Sequence, residues 1–436
     1  MTIKATFAKQ EALKVSMIVI GDEILSGRTV DLNGSWLSKF LFQKGLNFNA
    51  LRFIRDDKDE INKALTSSLE ESDIVITSGG IGPTLDDKTK KTLAHYFNKK
   101  VIERQDVALI VSENYKQFGR SWNPSLNHYH YFPLDFIATK NPKGLAPGIV
   151  YFEELDRKLI MSAPGVPREF SEMVTCEFLP LIEKFFPQRF QENYQTVIRT
   201  KSVPEEKIFF ELCPTLWQDL EKFGKVSSLP HTIGIDIVIS YHGDQALHKK
   251  KEQQINSLIS KSLLSEYVWQ YGNRPLNEMV LEYALLHKYT FSFAESCTGG
   301  LAASKITDLP RASEVFLGGV VSYTNSAKNH LLNVSEATLA EHGAVSIQAA
   351  SEMATGARTQ FNSDFAVSIT GIAGPTGGSP EWPLGSVIIG YSSKDKNDTQ
   401  TFMMPGDRLR RKERFSEMAL LLLLEFMSDK SSSDYQ

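Results

Sequence analysis

Cysteine is scarce in this chain of 436 residues, which contains only Cys176, Cys213 and Cys297. An odd, scattered set without a CxxC spacing argues against a disulfide framework and a structural zinc site, and is typical of a reducing compartment. Long apolar runs are lacking too, because the longest apolar cluster, residues 418–427, is about half of the ~20 residues that a membrane-spanning helix needs. The amino terminus also lacks the apolar core of a signal peptide. We therefore expect a cytoplasmic protein that does not contact a membrane.

Positive charge is not in excess either. The 48 lysines and arginines and 52 aspartates and glutamates give a formal net charge of -4, whereas binding a nucleic-acid backbone requires a basic surface. Nucleic acid is therefore not an expected partner. Hydrophobic residues at 42% and charged residues at 23% are ordinary for a globular protein. Because 436 residues exceed the ~100–200 residues of one domain, we expect two or three domains.

The first expected domain covers residues 1–190. Its buried runs at 15–20 and 73–77 are each followed by a glycine-bearing loop and a helical pattern. This alternation predicts an α/β domain with a mostly parallel sheet. Ligands of such sheets bind outside the carboxyl ends of the strands, which is where both loops fall.

The pattern changes after the first domain. Residues 191–272 predict a small α+β domain with a helix over 204–223, and they carry no arrangement of side chains that suggests chemistry. We interpret this segment as a linking or dimerisation module. Residues 273–436 again predict an α/β domain, in which a strand over 290–294 leads into a glycine-rich turn and another helix. Chemistry is therefore expected in the first and third domains.

The segment SGGIGPTLDDKT at residues 78–89 is the first candidate site. Three glycines place backbone N–H groups at the mouth of the predicted sheet, and two carboxylates follow them. These residues are Gly79, Gly80, Gly82, Asp86 and Asp87. The combination fits a phosphate held by backbone amides and bridged by a divalent cation. A glycine-rich turn with an aspartate helix cap explains the same residues equally well, so both interpretations remain open.

Four segments of the first domain carry a family resemblance: GDEILSGRTVDLN at 21–33, SGGIGPTLDDKT at 78–89, NPKGLAPG at 141–148 and APGVPREF at 163–170. Together they resemble the molybdopterin-binding (MoCF) domain of CinA proteins, which is a three-layer fold. For the CinA branch, the resemblance implies a metal-dependent ADP-ribose pyrophosphatase rather than an enzyme of molybdenum cofactor synthesis. A pterin-binding protein is the alternative within the same wider family.

The resemblance also implies where phosphates and metal bind. In the wider family they lie at the first aspartate-bearing loop and at the aspartate of the glycine loop, which correspond to Asp22 and Asp87 here. The implied cofactor is a divalent cation, magnesium or cobalt, with potassium as a further cation. A metal-bound water that attacks a diphosphate needs carboxylate ligands and oriented amides rather than a protein nucleophile. Which carboxylate binds the metal stays open, since Asp22 alone is also explained as a cap of the following turn.

A second candidate site begins at Ser296, just after a predicted strand and just before a Thr-Gly-Gly turn at 298–300. We expect its hydroxyl to be exposed at a helix start, where free N–H groups serve an oxyanion or a phosphate. A serine needs a base to accept its proton. No histidine is suitably placed, but Tyr323 and Lys328 permit a Ser-Lys arrangement.

Taken singly, these residues also have ordinary structural explanations. Ser296 and Thr298 are good helix caps. Tyr323 fits a core position, and Lys328 fits a solvated helix face. Cys297 is a rival nucleophile, since a thiol at a helix N-terminus can have a lowered pKa, but it has no paired histidine.

Five segments taken together favour catalysis: AESCTGG at 294–300, FLGGVVSYTNSAK at 316–328, EHGAVS at 341–346, SITGIAGPTGGSPEWPLGSV at 368–387 and PGDR at 405–408. They resemble the CinA carboxy-terminal domain, the nicotinamide mononucleotide amidohydrolase family. The resemblance implies deamidation of nicotinamide mononucleotide to nicotinic acid mononucleotide and ammonia, without a metal. It further implies a homodimer that acts in pyridine-nucleotide recycling, beside the ADP-ribose activity.

The same resemblance implies a role for each site residue. Ser296 is the nucleophile and Lys328 is its general base. Tyr323 positions groups or relays protons, and Thr370 lies near the substrate. The expected substrate-binding residues belong to the nucleophile turn, the loop at 371–378 and the last helix: Glu295, Thr298, Gly299, Gly300, Gly371, Gly374 and Arg408.

The loop amides and the Arg408 guanidinium are the candidates for holding the 5′-phosphate of the substrate. Tight turns explain the loop glycines equally well. A rival from another class is a non-catalytic nucleotide-binding or scaffold protein that acts in DNA uptake. The intact Ser-Tyr-Lys set and the absence of basic patches weaken that rival.

Overall fold

The computed structural model describes residues 13–83, 87–187 and 193–433, with side chains described as far as residue 429. Contacts within the chain divide it into two compact units. One contains the residues up to 194 together with 240–250, and the other contains 195–239 and the residues from 251 onward.

The first unit alternates strands with helices. Its elements are, in chain order, β1 (Lys14–Ile20), α1 (Asp22–Leu25), α2 (Asn33–Gln43), β2 (Asn47–Ile54), α3 (Lys58–Glu71), β3 (Ile74–Ser78), α4 (Thr89–Tyr96), β4 (Val101–Glu103), α5 (Gln105–Lys116), β5 (Tyr131–Pro133), β6 (Ile137–Thr139), β7 (Gly148–Glu153), β8 (Lys158–Ala163), α6 (Pro167–Met173) and α7 (Leu179–Phe185). Six strands form a sheet in the order β2-β1-β3-β8-β7-β6. The pairs from β2 to β8 are parallel, and β7 and β6 are added antiparallel. The predicted mostly parallel sheet is confirmed.

Side chains of β1 alternate between two apolar cores. Met17 packs in one core with Leu37 of α2, and Ile18 packs in the other with Ile61 of α3. Because successive side chains of a strand point to opposite faces, helices cover this sheet on both sides. The expected three-layer α/β architecture is therefore confirmed.

The next segment forms a smaller sheet. Its elements are β9 (Asn193–Thr200), α8 (Leu216–Glu221), β10 (Lys225–Pro230), β11 (Ile235–His242), α9 (Gln245–Ser260) and β12 (Val268–Tyr271), and the strand order is β10-β11-β9-β12.

The single helix predicted over 204–223 is wrong. A π-helical turn at Lys207–Leu212 ends at Cys213, where φ is -141° and ψ is 68°, and α8 begins only at Leu216. Pro214 explains the break, because the residue before a proline avoids the helical conformation.

The C-terminal part of the second unit contains the third sheet. Its elements are α10 (Leu276–His287), β13 (Phe291–Glu295), α11 (Leu301–Thr307), β14 (Phe316–Val321), α12 (Asn325–Leu332), α13 (Glu336–Glu341), α14 (Ile347–Phe361), β15 (Phe365–Gly371), β16 (Ser386–Ser393), β17 (Asn397–Met403) and α15 (Arg408–Ser433). The strand order is β14-β13-β15-β16-β17, with β13 parallel to both of its neighbours and the last two strands antiparallel. This arrangement confirms the predicted α/β class.

Helices bury both faces of this third sheet. Phe293 packs with Phe415 and Leu423 of α15 on one face, and Ala294 packs with Met353 of α14 on the other. The apolar cluster noted at 418–427 is thus part of a core. Across the described ranges, α15 and every other helix are too short or too polar to span a bilayer.

Candidate active site

Three neighbouring strands bring the C-terminal candidate residues to one edge of the third sheet. Because β13 is parallel to both β14 and β15, the carboxyl ends of the three strands meet there. Ser296 follows β13, Ser322 follows β14, and Thr370 lies at the end of β15. The order β14-β13-β15 reverses the direction of winding at β13, and open α/β sheets bind ligands at such a point.

A lysine on α12 is paired with Ser296. Nζ of Lys328 donates a hydrogen bond to Oγ of Ser296 at 2.8 Å and another to the Ser322 carbonyl oxygen at 2.7 Å. The Thr324 hydroxyl caps α12 by accepting from the Ala327 N–H at 3.1 Å. This cap fixes the first turn of α12, the turn from which Lys328 reaches the strand ends.

The Lys328 amine is almost fully removed from water. Only 1% of the residue is exposed, and burial lowers the pKa of the amine to about 8. A usable fraction of the amine is then neutral near pH 7, and a neutral amine can accept the proton of a serine hydroxyl. The interpretation of Lys328 as a solvated helix residue is therefore wrong.

Cys297, the rival nucleophile, meets the opposite conditions. It is buried beside Ser296, and burial raises the pKa of its thiol to about 12. Because the thiolate is the reactive form of cysteine, a thiol with a raised pKa is a poor nucleophile. The electrostatics of this turn favour the serine.

Glu295, the last residue of β13, holds the start of α11. Its carboxylate oxygens accept hydrogen bonds from the backbone N–H groups of Gly300 at 3.0 Å, Ala302 at 3.2 Å and Ala303 at 2.9 Å. We expected free N–H groups at this helix start, and that expectation is wrong for these three. In the structure, the Glu295 carboxylate binds the backbone of α11 rather than a ligand.

The turn between Ser296 and α11 depends on two glycines. Gly299 and Gly300 have φ values of 65° and 93°, which favour glycine because they lie in the left-handed region. The Gly299 N–H donates to the Ser296 carbonyl oxygen at 3.1 Å. Within the described part of the chain, the buried Thr298 hydroxyl and the Thr298 backbone N–H make no hydrogen bond. These two donors therefore stand next to the nucleophile without a partner there.

The end of β15 is held by its neighbours. The Thr370 hydroxyl donates to the Ala344 carbonyl oxygen at 2.7 Å, which ties the loop before α14 to the site edge. A side chain at Gly371 would run into the backbone of Ser386 and Val387 on β16. Packing therefore explains the glycine, and the hydroxyl of Thr370 is engaged by protein.

Arg408, at the start of α15, connects two other residues singled out from the sequence. Its guanidinium donates to the Gly374 carbonyl oxygen at 2.6 Å and to the Tyr323 hydroxyl at 2.8 Å. Tyr323 is 59% exposed, so its interpretation as a core residue is wrong. Within the residues that the structure describes, the Tyr323 hydroxyl makes no hydrogen bond to Ser296 or Lys328, and its side chain instead belongs with Arg408.

Two further cations near this edge were missed in the sequence. Arg411 donates to the Ala373 carbonyl oxygen at 3.2 Å, and Nζ of Lys412 lies 3.7 Å from the point where a Cβ on Gly299 would stand. The run RLRRK, which begins at Arg408 directly after the PGD segment, was the available signal. It gives the start of α15 a concentration of positive charge beside the nucleophile turn.

In the first unit, the glycine loop is hydrogen-bonded to Asp87. Gly79 and Gly80 have φ values of 105° and 67°, and the Gly82 N–H donates to the Asp87 carboxylate at 2.8 Å. Asp86, the other carboxylate of the predicted pair, lies outside the described residues. The glycine conformations agree with a tight turn, but among the described residues Asp87 does not cap α4, because no side chain there accepts from the first N–H groups of that helix.

The same loop borders a cavity of about 540 Å³ that Arg120, Lys143 and Glu169 also line. Glu169 was not singled out from the sequence, although it lies in the APGVPREF segment. Its carboxylate accepts from the Asn141 side chain at 2.7 Å, and burial raises its pKa. The cavity thus combines backbone amides with two cations and two carboxylates.

Asp22 does not line this cavity. It is the first residue of α1 and lines a separate space of about 550 Å³ with Glu23, Arg28 and Arg55. The described ranges contain no cluster of three or more histidine, cysteine, aspartate or glutamate residues that could hold a metal ion. The structure therefore places Asp22 and Asp87 in separate cavities, and the assignment of a metal ion to either carboxylate stays a prediction.

A serine paired with a buried lysine at the carboxyl edge of a parallel sheet defines a hydrolase-like class of protein, in which the serine attacks and the amine moves the proton. The comparisons with known proteins agree with this class. A family model described as the CinA C-terminal domain matches residues 273–427, and one described as a probable molybdopterin binding domain matches residues 16–184.

Similar proteins extend over almost the whole chain. A putative competence-damage inducible protein of Caldicellulosiruptor saccharolyticus is 36% identical over 412 residues, which cover 94% of this chain and 98% of that protein. A CinA-like protein of Chloroherpeton thalassium is 34% identical over 420 residues, with coverage of 94% and 99%. The crystal structure of a CinA superfamily protein from Klebsiella pneumoniae is 30% identical, with a TM-score of 0.35, and covers 36% of this chain and 99% of that one.

The chain belongs to the CinA family. Its two family matches support a hydrolase-like role related to pyridine nucleotides or molybdopterin.

Proposed function

We propose that the C-terminal site deamidates nicotinamide mononucleotide to nicotinic acid mononucleotide and ammonia. The observation that carries this proposal is the hydrogen bond of 2.8 Å between Nζ of Lys328 and Oγ of Ser296. The burial that lowers the pKa of Lys328 to about 8 supports it further. A serine nucleophile and an amine base are the two groups that an amide hydrolase of this type requires.

The chemistry follows from this pair. The neutral Lys328 amine accepts the Ser296 proton while Oγ forms a bond to the carboxamide carbon. The carbon–nitrogen bond then breaks, the Lys328 ammonium returns a proton to the leaving nitrogen, and ammonia departs. The same amine then takes a proton from a water molecule whose oxygen bonds to the acyl carbon. The bond from this carbon to Oγ breaks, the Lys328 ammonium returns the proton to Oγ, and the carboxylic acid is released. The backbone N–H groups of Cys297 and Thr298, which follow the nucleophile, are the candidate donors to the oxyanion.

The cations at the start of α15 are the candidates for the substrate phosphate. Arg408 and Arg411 each bond to the backbone of the loop after β15, and Lys412 lies beside the nucleophile turn. Guanidinium groups suit phosphate because they donate two parallel hydrogen bonds. Their position lets one end of the substrate bind at α15 while the carboxamide reaches Ser296.

The direct test is to incubate the purified protein with nicotinamide mononucleotide and to identify the products by mass, with release of ammonia measured in parallel. Conversion to the acid supports the proposal. The acid is roughly one mass unit heavier than the amide, because an OH group replaces an NH₂ group. A protein that binds the nucleotide without converting it would instead support the non-catalytic nucleotide-binding or scaffold alternative.

Replacing Arg408 by glutamine is expected to raise the KM for nicotinamide mononucleotide by about 10-fold, which corresponds to one lost charge-assisted hydrogen bond. Arg410, on the same turn of α15, is the matched control because its side chain is 78% exposed and pairs only loosely with Asp407 at 3.9 Å. Arg410→Gln should leave the KM unchanged. Equal KM values for the two variants and the wild type would exclude Arg408 from substrate binding.

We further propose that the first unit cleaves ADP-ribose at its diphosphate. The cavity of about 540 Å³ at the glycine loop supports this second activity, because it combines loop amides with Arg120 and Lys143, groups that suit a diphosphate. Family resemblance implies a divalent cation for this reaction. Because the described carboxylates do not form a metal centre, we assign no step of the reaction to a cation.

Asp87→Asn is expected to abolish ADP-ribose cleavage and to leave deamidation within a few-fold of the wild type. The amide can still accept from the Gly82 N–H, so the loss would report on the negative charge of Asp87. Asp135→Asn is the control, since this carboxylate forms an exposed ion pair with Lys99 at 2.9 Å. Loss of both activities in a folded Asp87→Asn protein would contradict separate sites in the two units.

Removal of divalent cations with EDTA is expected to suppress ADP-ribose cleavage alone, with activity restored by magnesium or cobalt. Deamidation should not change, because the Ser296–Lys328 pair needs no metal ion to move the proton. The two activities are measured on the same sample before and after chelation. A deamidation rate that falls with EDTA would mean that the metal-free mechanism is wrong.

A further inference from the structure

Glu295 joins the nucleophile and its base through the backbone. Its side chain accepts three N–H groups of the start of α11. Its own carbonyl oxygen accepts the Ser322 N–H at 2.8 Å. The Ser322 carbonyl oxygen in turn accepts from Nζ of Lys328. One residue therefore contacts both the turn that carries Ser296 and the segment that holds Lys328.

The nucleophile itself is tied on both sides. The Ser296 N–H donates to the Ile369 carbonyl oxygen at 2.9 Å, and its carbonyl oxygen accepts from Gly299. Gly299 and Gly300 connect Ser296 to α11 and have φ values in the left-handed region. Glycine is conformationally permissive, so these two residues do little to fix the turn by themselves. The Glu295 carboxylate restrains this turn, because it accepts a hydrogen bond from the N–H of Gly300, the last residue of the turn.

An ordinary helix cap does not require such a group. The neighbouring helices α12, α13 and α14 are capped by hydroxyls of Thr324, Ser335 and Ser346, each of which accepts one backbone N–H. Glu295 instead places a carboxylate that is 1% exposed against three N–H groups. A buried carboxylate is costly unless several donors satisfy it, and the arrangement satisfies it fully at the position before the nucleophile.

We infer that Glu295 is a positioning residue for the proposed deamidation. It fixes the turn after β13 so that Oγ of Ser296 stays at Nζ of Lys328 and the N–H groups of Cys297 and Thr298 keep a constant direction. The inference rests on the proposed function of the Ser296 site. It assigns Glu295 no contact with the substrate and no proton transfer.

Glu295→Gln tests the inference with almost no change of size. A glutamine side chain has one acceptor oxygen, and its NH₂ group would meet a backbone N–H as donor against donor. We expect kcat for nicotinamide mononucleotide to fall about 100-fold, as expected for a reacting group displaced by about 1 Å. The KM should stay within a few-fold, because the phosphate-binding cations lie on α15. Glu295→Asp, which keeps the charge with a shorter reach, should recover part of kcat.

Ser335→Ala is the matched control, since it removes the cap of α13. Thermal unfolding is measured for each variant, so that a loss of stability can be separated from a loss of turnover. Ser335→Ala should lose stability without losing kcat. Equal kcat for Glu295→Gln and the wild type would overturn the positioning role, and so would an equal kcat loss in Ser335→Ala.

The pH profile separates positioning from proton transfer. In Glu295→Gln the rate should still rise with pH over the same range as in the wild type, because Lys328 remains the base. A profile that loses this rise would make Glu295 a base and overturn the inference. If the wild type itself releases no ammonia, the proposed function fails, and the wild-type measurement shows this independently of the variants.

Discussion

Alanine at position 296 is expected to lower the deamidation rate by about 10,000-fold or more, because a catalytic unit that loses its nucleophile keeps only binding and oxyanion stabilisation. The substitution removes Oγ, to which Lys328 donates at 2.8 Å, and leaves the backbone bonds of the turn in place. Cys297→Ala should cost little, since burial raises the pKa of this thiol to about 12. Turnover of nicotinamide mononucleotide is measured for both variants, with folding checked by circular dichroism.

The pair of variants discriminates between the candidate nucleophiles. If Ser296→Ala keeps near-normal turnover while Cys297→Ala is inactive, the serine assignment fails and the thiol replaces it. If both variants convert the substrate at the wild-type rate, the reaction does not use this turn. Mass analysis of Ser296-containing peptides from a reaction stopped during turnover adds a direct observation, namely the acyl group bound to Oγ.

The sequence predicted those parts of the site that depend on strand ends. Ser296 follows the buried strand β13, Tyr323 follows β14, whose residues are mostly exposed or half-buried, and parallel strands deliver their carboxyl ends to one edge. The mostly parallel sheet of the first unit was predictable because strand and helix patterns alternate along the chain. Local periodicity is enough for this level of description.

Burial and hydrogen-bond partners depended on packing between distant segments. Lys328 lies 32 residues from Ser296, on a short polar helix that reads as solvated, and only the packing of α12 against the strand ends buries its amine. The family resemblance implied substrate binding for Glu295, and the sequence does not show that its carboxylate accepts from the N–H groups of α11. Arg411 and Lys412 were missed because a charged run usually covers a solvated helix face.

The first unit shows a different limit. Asp22 and Asp87 each come after a strand of the same parallel sheet, and the family resemblance implied binding of phosphate or metal at both residues. The structure places them in separate cavities, and the Gly82 N–H donates to the Asp87 carboxylate. Two loops that follow strands at the same edge of a sheet can therefore place their side chains in different cavities.

Lys328→Arg is expected to be nearly inactive at every working pH, because a guanidinium remains protonated and cannot accept the Ser296 proton. In the wild type the active form is the neutral amine, whose pKa burial lowers to about 8. The rate should therefore rise with pH up to about 8 and level off above it. The measurement is kcat as a function of pH for both proteins. A wild-type rate that falls as the pH rises through this range would contradict an amine base.

Lys328→Met extends the test to stability and shows whether loss of turnover comes from unfolding. The pKa of lysine is about 10.4 in an unfolded chain and about 8 at Lys328 in the folded protein. Between these values the unfolded chain binds more protons, so the free energy of unfolding of the wild type rises with pH. Burial also lowers the pKa of Lys90 to about 8, and this contribution is common to both proteins.

The difference between the two proteins therefore isolates Lys328. The stability of Lys328→Met relative to the wild type should be greatest below pH ~8 and should decrease as the pH approaches ~10.4, because the wild type then no longer buries an ammonium. Thermal unfolding midpoints of both proteins across this range measure the effect. A difference that does not change with pH would mean that the Lys328 pKa is not lowered in the folded state. The amine would then be almost fully protonated near neutral pH, and a different group would have to take the serine proton.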